Sequence, residues 1–385
     1  MVIQFEFATA SGIVFGSGSR HQLPELARPY GNRALLVTGR NSGRAAPLIA
    51  ALNRVGISSV PFAVEGEPTL HTVRGGAETA RRGCDFVLGL GGGSAMDAAK
   101  AIAVLATNSG EPLDYLEVIG KGEALVNEPL PCIAIPTTAG TGAEVTRNAV
   151  LGSPEHGLKA SLRGPFLLPK LAIVDPELTV SLPPQVTAAS GMDALTQLIE
   201  PFVSCRAQPF TDMFCRTGIA HVRTALRQAF KDGKDSLARE QMCFASLLSG
   251  LALANAGLGI IHGFAAPLGG MLDAPHGAIC AAVLPHGVEI NIRALRQRAP
   301  GHLALRRYRE IAHVLTANER AEPEDLTPWL LSTIRDLGIS SLGALGLQRP
   351  QLPELVKKAA AANSTKANPL PLTQDELTEI AERAL

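Results

Sequence analysis

The chain has 385 residues, 46% of them hydrophobic and 18% charged, with 35 basic side chains against 35 acidic ones. A chain of this length buries large cores without covalent staples, which excludes a small disulfide scaffold. Balanced charge leaves no field to recruit nucleic acid or anionic lipid, and an aromatic content of 4% supplies no stacking platform for single strands.

The opening MVIQFEFATASG has no basic segment followed by an apolar one, so the expectation is a cytosolic chain without a secretion signal. FEFATASGIVFG reads as a hairpin at a sheet edge. RALLVT (33–38) reads as a buried strand, with a helix near 44–55. SSVPFAV (58–64) is the next strand, with a helix near 69–83. DFVLGL (85–90) is a third, and GGGSAMDAAKAIAVLAT starts a helix directly after it. PCIAIPTT (131–138) is a fourth, and shorter strands fit 145–151, 158–162 and 171–174. This alternation argues for a parallel sheet with helices on both faces.

Pro183-Pro184 ends the strand region, and from 185 onward the apolar spacing is helical. The expected organisation is an α/β domain over 1–180 and an all-helical domain over 181–385. Residues 241–272 carry no Asp, Glu, Lys or Arg and are long enough to cross a bilayer. Gln241, Asn255, His262 and Pro267 interrupt that stretch, and no aromatic belt or basic flank brackets it. It reads as a buried helix followed by a functional turn. Thr373 with Glu376 fits a capping box before a last helix. The cysteines Cys84, Cys132, Cys205, Cys215, Cys243 and Cys280 form no C-x-x-C pair and read as reduced core thiols.

Three constellations can carry chemistry. Gly91-Gly92-Gly93-Ser94 lies between a strand and a helix. Glycine lets the backbone approach a phosphate, and the helix start offers unpaired N–H groups. A flexible turn is the plainer reading, but the flanking elements favour phosphate. The spacing is not G-x-G-x-x-G, so the ordinary dinucleotide fingerprint does not apply. Next, PTTAGTGAEVT (136–146) follows a strand end, where ligands of open α/β sheets sit. Thr137, Thr138 and Thr141 can bind phosphate or ribose there, or satisfy a polar loop. Last, Asp193 and Gln197 are four apart and share a helix face. With His262 and His276 they suit Fe(II) or Zn(II) with a position open to substrate. Hydrogen-bonded core histidines are the plainer reading. His286 reads as structural, and His21, His71, His156, His221 and His302 as surface residues.

These motifs resemble the iron-containing (group III) alcohol dehydrogenase family. The resemblance lies in GGGSAMDAAK (91–100), IPTTAGTGAEVT (135–146), VDPELT (174–179), GMDALTQLIE (191–200), HGFAAPLGG (262–270) and PHG (275–277), in family order across nearly the whole chain. Maleylacetate reductases and glycerol dehydrogenases are related. The resemblance implies an α/β dinucleotide-binding domain followed by an all-helical domain, the dehydroquinate synthase-like architecture, with NAD(P) in the cleft between them. It implies that Gly91, Gly92, Gly93 and Ser94 hold the pyrophosphate, with Asp97 and Lys100 completing the turn-helix motif. Thr137, Thr138 and Thr141 would line the nicotinamide-side phosphate and ribose, with Lys159 near that ribose. It also implies at least a homodimer and a small alcohol or aldehyde substrate; the charge balance, low aromatic content and unflanked apolar stretch argue against a nucleic-acid or membrane partner.

One cofactor-selecting position and two departures from the family pattern stand out. NAD-preferring members often carry Asp after the second motif strand; Gly39 stands there, beside Arg40 and Arg44, so a 2′-phosphate meets no carboxylate and NADP is expected to be accepted. The usual metal set is one Asp and three His. Asp193, His262 and His276 match it, and Gln197 holds the remaining position with a neutral carbonyl oxygen. Fe2+ or Zn2+ stays open, as does a metal-independent maleylacetate-type reductase, which needs cations such as Arg206, Arg216 or Arg223 for its acid substrate. Finally, Ala266 replaces a histidine that serves proton transfer in many members, and no replacement is evident. The reaction expected is NAD(P)-dependent interconversion of an alcohol with an aldehyde or ketone, with the metal as Lewis acid.

Overall fold

The computed structural model describes residues 4–117, 119–156 and 158–385. They form two compact units. One comprises Thr9–Thr138 and Gly142–Thr179; the other comprises residues 4–8, Ala139–Thr141 and Val180–Leu385.

The α/β unit runs β1 (Ile13–Phe15), α1 (Leu23–Ala27), β2 (Arg33–Gly39), α2 (Ala46–Arg54), β3 (Ser58–Val64), α3 (Leu70–Ala80), β4 (Phe86–Gly91) and α4 (Gly93–Leu105). It continues through β5 (Cys132–Pro136), β6 (Asn148–Ser153), β7 (Leu158–Arg163) and β8 (Leu171–Val174). Six strands pair in parallel in the order β1-β8-β5-β4-β2-β3, and β6 and β7 form a separate antiparallel ladder. Successive strand residues face opposite sides. Leu35, Val37 and Val87 pack with Val73 of α3 and Ile102 of α4. Ala34, Leu36, Phe86 and Leu88 pack on the other side with Leu23 of α1 and Leu48 of α2. Both faces are buried, which is why RALLVT is an unbroken apolar run rather than an alternating one.

The opening segment is not a hairpin. β1 pairs in parallel with β8, at the edge of the sheet. Residues 4–8 belong to the helical unit, where the Phe5 and Phe7 rings meet Phe210 edge-on at 5.0 and 5.6 Å. Aromatic burial against a helix outweighs the alternation that suggested a second strand.

From β2 the chain steps outward to β3, returns to β4, and continues to β5 on the other side. The β2–β4 boundary is therefore the point where the sheet reverses its winding, and ligands of such sheets sit beyond the strand ends there. Gly39 and Gly91 end those two strands.

Behind this edge a buried lysine ties loops to α4. Lys100 Nζ donates to the Ala143 carbonyl and the Thr146 hydroxyl, at 2.9 and 3.0 Å, and pairs with Asp97 Oδ1 at 2.9 Å. Asp97 Oδ2 accepts from the Val150 N–H at 2.9 Å, clamping α4 to β6. Glu144, 2% exposed, lies in the same segment. Burial pushes its carboxyl up from 4.5 to about 7, against the pull of a backbone hydrogen bond and of Lys100.

The helical unit contains α5 (Pro184–Val203), α6 (Pro209–Lys231), α7 (Ser236–Ala256), α8 (Ile260–Met271) and α9 (His276–Arg298). It closes with α10 (Leu303–Thr316), α11 (Leu326–Asp336), α12 (Leu352–Ala361) and α13 (Gln374–Ala384). From Gly191 to Val203 every residue of α5 is buried, so α5 is the central helix. The uncharged stretch 241–272 is two helices, α7 and α8, bent by 101°. Gly257, at φ +72°, makes the break. Among the described residues α9 is the one helix long and apolar enough to cross a membrane, and 83% of its apolar window is packed inside.

The raised Glu144 pKa has a definite sign in stability. The folded protein keeps this proton up to about pH 7, whereas the unfolded chain loses it near 4.5, so folding stability falls as pH rises through that window. Glu144→Gln is expected to be stabilising by up to about 3 kcal/mol at pH 8 and nearly neutral at pH 4.5. Denaturant titrations of both proteins at the two pH values decide it; an equal gain at both would contradict the assignment.

Candidate functional site

In the helical unit four side chains with ligand atoms converge: Asp193, His262, His276 and Cys280. Asp193 comes from α5, His262 from the first turn of α8, and His276 and Cys280 from the start of α9. Their ligand atoms all lie within 4.8 Å of one another. Asp193 Oδ1 is 3.4 Å from His262 Nε2 and 3.9 Å from His276 Nε2. Cys280 Sγ is 3.8 Å from His262 Nε2 and 3.6 Å from His276 Nε2.

Local packing explains the convergence. A Cβ on Gly277 would stand 2.0 Å from the Ala189 carbonyl oxygen, so glycine there lets α9 dock against the α5 backbone and brings His276 to Asp193. His262 is oriented by Glu200 of α5, which lies 2.5 Å from its Nδ1 and also accepts the Ile261 N–H at 2.7 Å. With Nδ1 engaged by the carboxylate, Nε2 is turned to the cluster.

The electrostatics favour charge at every member. Burial alone would raise the Asp193 carboxyl, but His262 and His276 hold it below the usual range, helped by the Gln197 amide. Burial opposes charge on His262, and Cys280, Glu200 and Asp193 overcome it and hold the imidazole well above its usual range. His276, whose side chain is 38% exposed, is raised to about 9, chiefly by Cys280. Burial would raise Cys280, and the two imidazoles pull it below the ordinary thiol value. Asp193 Oδ1 is buried and accepts no hydrogen bond. Such an oxygen is costly unless a cation meets it.

Three of the four expected ligands thus stand together, and Gln197 lies one turn from Asp193 with its amide bonded to that carboxylate. Its carbonyl Oε1 accepts the Ser249 hydroxyl at 2.9 Å. The fourth group in the cluster is Cys280, which the sequence reading counts only as a core thiol. The signal for it is the four-residue step from His276, which puts both on one helix face. Ala266 is exposed on α8, and His286 on α9 lies outside the cluster. Arg216 pairs with Glu310 and lies over the Phe202 ring, and Arg206 and Arg223 are exposed.

The α/β unit carries the glycine turn. A Cβ on Gly91 would meet Ala95 Cβ at 2.7 Å, so the first turn of α4 closes directly on the strand end. Gly92 begins α4 with no side chain capping it. Thr137 N donates to the Gly91 carbonyl at 2.8 Å, and Thr138 lies against Gly92. Gly91, Gly92, Gly93 and Ser94 are all half-buried. Gly39 sits beside Gly91, with open space where its Cβ would stand. Thr141 belongs to the segment grouped with the helical unit. Lys159, on β7, pairs with Glu67 at 3.4 Å. Asp97 is committed to Val150 and Lys100.

Residues 10–176 match the profile of iron-containing alcohol dehydrogenases, and residues 187–385 that of the family's C-terminal part. The chain belongs to the iron-containing alcohol dehydrogenase family. It is an oxidoreductase of the class acting on CH–OH donors. The choline dehydrogenase of Bacillus subtilis is 35% identical over 392 residues, covering 98% of this chain and 94% of its own. An alcohol dehydrogenase of a Red Sea brine-pool archaeon, solved bound to NZQ, matches at TM-score 0.92 and 31% identity over 100% of both chains. The sulfoacetaldehyde reductase of Bifidobacterium kashiwanohense, solved with NAD+, matches at TM-score 0.87 and 32% identity, covering 99% of this chain and 98% of its own.

Because Glu200 orients His262 without being a ligand-type member of the cluster, its removal separates positioning from ligation. Glu200→Gln is expected to lower divalent-metal affinity about 10- to 100-fold. Zinc competition titrations read this directly, and an unchanged affinity would show that His262 needs no carboxylate to orient it.

Proposed function

We propose that the chain is an NAD(P)-dependent alcohol dehydrogenase, working as an aldehyde or ketone reductase in reverse, with a divalent metal held by Asp193, His262 and His276. The observation that carries this reading is the buried, unpartnered Asp193 Oδ1 facing two imidazole nitrogens. A carboxylate oxygen and two imidazoles are the donor chemistry of catalytic Fe(II) and Zn(II) sites. Bound there, the metal supplies Lewis acidity toward a substrate oxygen.

The residues of the α/β unit fit a dinucleotide. Gly91, Gly92, Gly93 and Ser94 offer backbone N–H groups at the uncapped start of α4, where a pyrophosphate is favoured. Thr137 and Thr138 stand against that turn and can donate hydroxyls to the same phosphates or ribose; Thr141 and Lys159 are assigned by family resemblance. Asp97 holds the turn through Val150 and Lys100. The nicotinamide, once bound, supplies or accepts the hydride. Position 266 holds no group that exchanges a proton, so water or a cofactor ribose hydroxyl takes that role.

Gly39 at the winding reversal favours acceptance of NADPH, since no carboxylate repels a 2′-phosphate and Arg40 and Arg44 lie close in sequence. Open space at its Cβ makes Gly39→Asp a clean test. The variant is expected to shift the NADPH-to-NADH ratio of kcat/KM toward NADH by about 10-fold or more, the scale of a single charge-assisted hydrogen bond. A wild-type enzyme that already prefers NADH strongly would sink the assignment.

Metal dependence is the wider test. Protein purified without chelator is expected to carry near-stoichiometric iron or zinc, and to lose and regain NAD(P)H oxidation with small aldehydes as metal is removed and returned. Full activity after exhaustive chelation would instead move the chain to the metal-independent, maleylacetate-type reading.

A further inference from the structure

We propose that Cys280 is a protein ligand of the metal, filling the coordination position that an imidazole at 197 has in the family, and that the resulting donor set favours zinc over iron. This rests on the metal reading above and adds the fourth donor and the metal it selects.

The geometry is that of a single coordination shell. With ordinary bond lengths to zinc, the edges of a tetrahedron are about 3.6 Å between nitrogen and sulfur and about 3.3 Å between oxygen and nitrogen. The corresponding separations are 3.6 and 3.8 Å from Cys280 Sγ to the two histidines, and 3.4 and 3.9 Å from Asp193 Oδ1 to them.

Gln197 has other partners. Its carbonyl oxygen is satisfied by Ser249, and its amide faces Asp193. Gln197 therefore acts on the site by positioning Asp193. Cys280 is fully buried, and the sulfur's partners are the two histidines that would share the ion. On binding, the Cys280 thiol proton and the protons on the metal-facing nitrogens of His262 and His276 would leave to solvent, freeing sulfur and nitrogen lone pairs for the metal. A thiolate is a soft donor, and exchanging an imidazole for it moves the site toward zinc.

Cobalt(II) reports the donor atom without turnover. Metal-free protein reconstituted with cobalt is expected to bind one ion per chain and to show an intense sulfur-to-cobalt charge-transfer band in the near ultraviolet. Cys280→Ser is expected to lose the band and to weaken zinc binding about 100-fold or more, whereas Gln197→Ala keeps the band and weakens it no more than about tenfold. Circular dichroism shows whether each variant folds. Should Cys280→Ser fail to fold, X-ray absorption of the zinc-loaded wild type decides, with a sulfur scatterer near 2.3 Å expected. Stoichiometric cobalt without the band, a band that survives Cys280→Ser, or a zinc shell of nitrogen and oxygen alone overturns thiolate ligation while leaving the metal reading intact. No cobalt bound overturns both. Retention of iron when equal zinc and iron are offered anaerobically overturns the selectivity.

Discussion

Asp193 is 2% exposed, and one of its carboxylate oxygens has no hydrogen bond. Taking an ionised carboxylate out of water costs several kcal/mol unless positive charge compensates it. The helical unit is organised around that compensation. α5 is buried all round, so its carboxylate cannot reach water. α8 and α9 must therefore bring imidazoles to it, and a glycine at 277 is what lets α9 come close enough. The HG and PHG motifs are packing devices as well as sources of the clustered imidazoles.

The α/β unit answers a different demand with the same economy of side chains. A phosphate needs backbone, and the turn from β4 to α4 presents backbone because side chains are missing where they would block it. The Lys100 network lies behind the turn and uses up charge that would otherwise face a ligand. A conspicuous Asp or Lys in a motif can thus be scaffolding.

Much of this is legible in the residues. Strands such as RALLVT and SSVPFAV, the helix after GGGS and the helical second half follow from period, β-branching and glycine placement, because local rules and tertiary packing agree there. The opening segment misleads because the partners of Phe5 and Phe7 are on α6, some 200 positions away, and spacing holds no trace of them. At the metal cluster, Asp193, His262 and His276 stand out by residue type and family resemblance. Gln197 shares a helix phase with Asp193, yet a hydroxyl from α7 claims its oxygen. Cys280 has the equivalent phase with His276, but one sulfur among six scattered cysteines carries little weight without coordinates.

Glu200 holds two bonds at once. One oxygen receives the Ile261 N–H at the start of α8, and the other faces the His262 ring. The same carboxylate therefore determines where a helix begins and which way a ligand points. A change at Glu200 therefore reaches both the start of the helix after the 101° bend and the orientation of the His262 ring.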